Sequence, residues 1–146
     1  MKLKYNDKMK RVDSRIQKIR NIIKFFCKKY NIPLPRILCC NCSPVGFFII
    51  SQKLLVINHH LPFYESTCLH ELAHYIIYMK NGQLRVPHSL KFSKLLYELA
   101  STYYGKEIDK FFLRGEYSTV QNYFKKKLDK GNKVCYINNK RRNKNE

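Results

Sequence analysis

A chain of 146 residues is long enough for one domain with a true hydrophobic core. Its 29 Lys/Arg against 10 Asp/Glu leave a net charge of +19, which attracts polyanions. No run reaches the ~20 apolar residues of a membrane span, and the basic N-terminus lacks the apolar segment of a secretory signal, so the expectation is the cell interior (cytoplasm or nucleoid, or the host cell if viral), neither secreted nor in a membrane.

The spacing of Met9, Val12, Ile16, Ile19, Ile23, Phe26 and Tyr30 predicts an amphipathic helix over residues 6–30. Lys8, Arg11, Arg15, Lys18 and Arg20 fall largely away from that stripe. Asn31-Ile32-Pro33 should end it, because the residue before proline disfavours the helical region. Charge is concentrated at the two ends. Residues 1–30 carry +9 and residues 106–146 carry +7, while the 75 residues between carry +3. Such flanks are expected to contact DNA or RNA through phosphates, with salt-sensitive affinity.

Short apolar runs follow. Residues 36–40 read as a strand, Ser43-Pro44-Val45-Gly46 as a turn, and residues 47–51 and 54–58 as two strands of a hairpin. The last of these directly precedes the next helix and is expected to border a cleft there. Cys27, Cys39, Cys40, Cys42, Cys68 and Cys135 are expected to be reduced thiols, chiefly buried structural ones; Cys39-Cys40-Asn41-Cys42 has a C-x-x-C spacing but lacks a second pair for a structural zinc site. His59 and His60 fall in a loop before Pro62.

Residues 62–79 read as a helix, with Pro62 near its first turn, apolar positions Leu69, Leu72, Ala73, Ile76 and Ile77, and Asn81-Gly82 as the stop. Within it stands His70-Glu71-Leu72-Ala73-His74, an H-E-x-x-H motif. Residues four apart share a helix face, so His70 and His74 can present two imidazoles to one ion. Zinc, as one catalytic ion, is the expected metal, and Glu71 suits a general base that activates water at the metal's open position. A catalytic zinc usually takes three protein ligands. His88, after a connection containing Gly82 and Pro87 and just before the helical spacing of Phe92, Leu95, Leu96 and Leu99, is the leading third ligand.

His70-Glu71-Leu72-Ala73-His74 together with His88-Ser89-Leu90-Lys91-Phe92 resembles the SprT-like metalloproteases, the family that includes the Spartan proteases. That family shows H-E-x-x-H, a short glycine-containing connection, then H-G-x-x-F at the start of the next helix. The resemblance extends over about residues 18–100. It implies a minimal α+β zincin-like domain: an N-terminal helix, a small β-sheet, the motif helix, a following helix and a basic helical C-terminal extension. It implies zinc held by His70, His74 and His88, with Glu71 catalytic, and cleavage of proteins bound or crosslinked to DNA. In that reading residues 1–137 form the single domain and residues 138–146 a disordered basic tail. Ser89 stands where the family has glycine, and Cys135 alone follows the motif, so the C-terminal zinc ribbon of many members is not expected here.

Two alternatives stand beside it. Glu98-Leu99-Ala100 loosely resembles the E-x-x-A segment of ImmA/IrrE-like peptidases, which would make Glu98 the third ligand and a repressor-type regulator the substrate. A non-catalytic zinc-containing nucleic-acid-binding protein is the other. Arg85 or a tyrosine is a candidate to stabilise the oxyanion. Beyond the Tyr103-Tyr104-Gly105 break, residues 108–113 and 120–128 read as helical, with Tyr117, Tyr123 and Tyr136 among the basic residues. Aromatics so placed can stack on unpaired bases.

Overall fold

The computed structural model describes residues 2–41, 46–82 and 88–108, with side chains from residue 10 onward. Its elements run α1 (Lys2–Tyr30), β1 (Arg36–Cys40), β2 (Gly46–Ile49), a 3-10 turn (Ile50–Gln52), β3 (Leu54–Asn58), α2 (Tyr64–Asn81) and α3 (Leu90–Tyr104), closed by a 3-10 turn at Gly105–Glu107. The α+β class is therefore as expected. The readings placed on Cys42, Arg85, Cys135 and residues 109–146 lie outside the described residues.

α1 buries the C-terminal part of its stripe: Ile19, Ile23 and Phe26 enter the core together with Ile22 and Cys27, which the stripe does not include, while Val12, Ile16 and Tyr30 are half-buried. It starts at Lys2, four residues earlier than its apolar pattern alone requires. It ends at Asn31, whose φ of 52° is left-handed, while Ile32 N–H donates to Cys27 C=O at 3.0 Å. Asparagine tolerates that conformation, and the back-bond satisfies one of the last helical carbonyls.

The three strands form one mixed sheet in the order β1-β3-β2. β1 lies parallel to β3, with Leu38 opposite Val56, and β2 lies antiparallel to β3, with Phe47 opposite Val56. The hairpin is thus as expected, but its first strand stops at Ile49, and a 3-10 turn with Lys53 at φ 47° leads into β3. One expectation is corrected here. The strand at residues 54–58 is the centre of the sheet, so both its edges are occupied; among the described residues β1 and β2 are the edge strands, and β2 begins beside the motif helix. A tight connection shows that two strands pair, not which of them a third strand will cover.

Leu55 and Ile57 of β3 face the helices and join Leu69, Leu72, Tyr75, Ile76, Phe92, Leu96 and Leu99 in the core. α2 is buried almost all round, from Tyr64 to Ile77, between α1, α3 and the sheet. A helix enclosed in this way carries any polar group on its inner turns into low dielectric. Gly82 (φ 68°) caps it, and its N–H donates to Tyr78 C=O at 2.7 Å. Tyr75 O–H donates to Pro33 C=O at 2.8 Å, and Ser66 Oγ meets Tyr104 Oη at 2.9 Å, tying α2 to the α1–β1 loop and to the end of α3.

Cys27, Cys39 and Cys68 are free thiols, but Cys40 is disulfide-bonded, which corrects the expectation of six reduced cysteines. Pairing follows the separation and direction of Cβ atoms, which cysteine count and spacing do not carry. Burial pushes the Cys27 thiol up to about 11 and the Cys68 thiol up as well, so both stay protonated as packing groups. No helix among the described residues is long and apolar enough to cross a membrane.

Candidate metal centre

Three histidines, two from α2 and one from the segment leading into α3, meet at one point. His70 and His74 lie one turn apart on α2, and His88 lies two residues before α3. His70 Nε2 is 3.2 Å from His74 Nε2 and 3.2 Å from His88 Nε2, and the ligand atoms of all three lie within 4.8 Å of one another. A tetrahedral ion with Zn–N bonds of about 2.0–2.1 Å separates its ligand nitrogens by about 3.3–3.4 Å. The two distances from His70 lie close to that edge, so the residues present fit a zinc ion. Among the described residues no other set of His, Cys, Asp or Glu converges in this way.

The ring packing explains why the three stay together. Phe92 stacks on His74, with ring centroids 4.3 Å apart and 24° between planes, and meets the His70 and His88 rings at 4.9 and 5.0 Å. Phe92 is itself fixed by the start of α3. Ser89 is the N-cap: its extended backbone (φ −70°, ψ 169°) lets its Oγ accept the Phe92 N–H at 3.3 Å. Serine satisfies a free helix N–H that glycine would leave open, so the departure from the family pattern at this position gives α3 a defined start beside His88.

Glu71 does not join the histidine group, which suits a base better than a ligand. It is 8 % exposed, as are His70 and His74. Burial pushes its carboxyl up to about 7, and the start of β2 lies against its side chain, where a Cβ on Gly46 would stand 3.3 Å from Glu71 Cγ. A cation at the histidine apex would lower the carboxyl again. Burial, and then the neighbouring His74 and His88, push His70 down to about 3; burial and His88 push His74 down to about 4. Both imidazoles are thereby held neutral, the form that binds metal.

These shifts set a pH dependence for the metal-free protein. Glu71 holds its proton longer when folded, so its contribution to stability falls as pH rises from about 4.5 to about 7. His70 and His74 resist protonation when folded, so theirs falls as pH drops below about 6.5. Two histidines outweigh one carboxyl. Between pH 6.5 and 4.5 these three groups leave the unfolded chain with one more bound proton than the folded one, a loss of about 1.4 kcal/mol per pH unit on acidification. Urea unfolding with chelator at pH 6.5 and 5.0 checks the sign; greater stability at pH 5.0 would contradict it.

The other candidates lie elsewhere. Glu98 is exposed on α3 and lines a groove with Tyr30, Lys80, Lys94 and Leu95, not the histidine apex. The rings of His59 and His60 meet at 4.2 Å, tilted by 43°, and Arg15 Nη1 donates to both of their carbonyls, at 3.0 and 3.2 Å. Those bonds pin the turn between β3 and α2 to α1, a role for Arg15 that the helical stripe does not signal. Gly46 carries the other unforeseen contact, since in the sequence it reads only as part of a turn.

Comparison of the chain with protein-family models, with curated proteins and with solved structures finds no match.

Proposed function

We propose that this protein is a zinc-dependent endopeptidase of the SprT-like type, acting on proteins associated with or crosslinked to DNA. The observation that carries the reading is the convergence of the ligand nitrogens of His70, His74 and His88 within 4.8 Å of one another, with a buried Glu71 next in sequence to one of them but outside the ligand set. A zinc ion held there supplies Lewis acidity toward water and the scissile carbonyl. Glu71 takes the proton of the attacking water and passes it to the leaving amine, a task for which a carboxyl shifted toward neutrality is suited. β2, an edge strand among the described residues, begins beside Glu71, and an extended substrate backbone would pair with it without demanding one sequence.

The DNA part of the proposal rests on charge. Lys10, Arg11, Lys18, Arg20, Lys24, Lys28 and Lys29 are exposed along α1, and Lys10, Arg11, Ser14 and Arg15 line an open hollow there. Phosphates neutralised by such residues release counterions, so binding should weaken linearly in log salt.

The test is cleavage of a basic protein with and without DNA, at several salt concentrations, by wild type and Glu71→Gln. Cleavage by wild type alone, raised by DNA and lowered by salt, is the expected result. Cleavage indifferent to DNA would remove the DNA-associated substrate from the proposal. One bound zinc without cleavage would replace the peptidase with a non-catalytic zinc protein.

A further inference from the structure

Gly46 opens β2 and pairs with Ile57 of β3. Its φ lies outside the left-handed region, unlike that of Gly82 (68°) and Gly105 (55°), so its backbone conformation is open to any residue. Space is what demands glycine. A Cβ there would stand 2.7 Å from Thr67 Cγ2, 3.0 Å from the Val56 carbonyl oxygen and 3.3 Å from Glu71 Cγ. Carbon atoms in contact settle at about 3.5–4.0 Å.

Two of the three neighbours do not yield readily. Thr67 is β-branched in a helix, and its Oγ1 donates to Phe63 C=O at 3.3 Å, which fixes where its methyl points. The Val56 oxygen is backbone of the central strand. A methyl at position 46 would therefore move β2 or the Glu71 side chain.

We infer that Gly46 is a positioning residue for Glu71: its bare backbone lets the edge strand lie directly against the Glu71 side chain and brace it. The inference rests on the reading of Glu71 as the general base. It differs from a simple packing role, because the tightest contact is to Thr67 and the consequential one is to Glu71. Those two contacts can be separated. Thr67→Ser removes Cγ2 and relieves the 2.7 Å clash while leaving Glu71 pressed.

The experiment compares wild type, Thr67→Ser, Gly46→Ala and the double variant, each loaded with zinc. It measures zinc content, thermal midpoint, kcat and KM, and the 13C resonance of the Glu71 side-chain carboxyl, assigned by its loss in Glu71→Gln. Gly46→Ala is expected to keep one zinc and to lose about 10-fold in kcat, since a 3.3 Å contact displaces the base by less than the ~1 Å that costs about 100-fold, with KM within about three-fold of wild type. The double variant is expected to recover part of the thermal midpoint, the contact with the Val56 oxygen remaining, but not kcat. Recovery of kcat along with the midpoint, or an unchanged kcat in Gly46→Ala, would overturn the inference. If wild type cleaves nothing, the base reading fails, and the resonance decides the bracing by itself: displaced in both Gly46 variants it stands, unmoved it falls.

Discussion

Glu71→Gln is expected to abolish peptide cleavage while leaving the fold and the zinc intact. Removing a positioned general base typically costs about 10²–10⁴-fold in rate. Glutamine keeps the shape of the side chain, so β2 and Gly46 meet the same group. It also resembles the protonated acid, the form that burial favours at this position up to pH about 7 in the metal-free protein. The variant should therefore be more stable than wild type without metal at neutral pH, since it is relieved of the proton that folding holds on Glu71, and its metal content should match, because Glu71 lies outside the ligand set. Loss of zinc in Glu71→Gln would assign that carboxyl to coordination. Retained cleavage would remove it from the chemistry.

His88→Ala carries the second large effect. His88 is exposed and precedes α3, so its truncation opens no cavity in the core. What it removes is one of three imidazoles. Loss of a partner that merely orients a ligand costs about 10–100-fold in metal affinity, and loss of a ligand itself should cost at least about 100-fold. The same change appears in stability: at a zinc concentration 100 times the wild-type Kd the ion stabilises the fold by about 2.7 kcal/mol, and a variant binding 100-fold more weakly loses about 2 kcal/mol of that. Zinc titration and thermal unfolding with and without zinc measure both. Glu98→Ala, on the outer groove of α3, is expected to bind zinc as wild type does. Zinc retained in His88→Ala and lost in Glu98→Ala would exchange their roles.

What the sequence made legible is what local periodicity encodes. His70 and His74 share a face because they are four apart, and the helix bearing them is marked by its apolar spacing and by Gly82. The apolar stripe of α1 and the β2–β3 hairpin are visible for the same reason. His88 could be reached because a third ligand is a chemical requirement and the chain supplies a turn to bring it back. Relations set by tertiary packing were not visible. Which strand is central depends on β1 inserting beside β3, and that placed β2, not residues 54–58, at the edge. Gly46 read as a turn glycine because nothing local reveals that Thr67 and Glu71 crowd it. That Ser89 caps α3 depends on where the helix starts, which the spacing of Phe92, Leu95, Leu96 and Leu99 does not state. The disulfide at Cys40 depends on a Cβ geometry that spacing does not state.

The most direct measurement of the central claim is cleavage of an unfolded protein substrate as zinc is titrated into metal-free wild type and Glu71→Gln. The account predicts that wild-type activity rises with added zinc and saturates at one equivalent, while Glu71→Gln binds the same equivalent and stays inactive. One equivalent bound with no wild-type cleavage, or equal cleavage by both proteins, would contradict it.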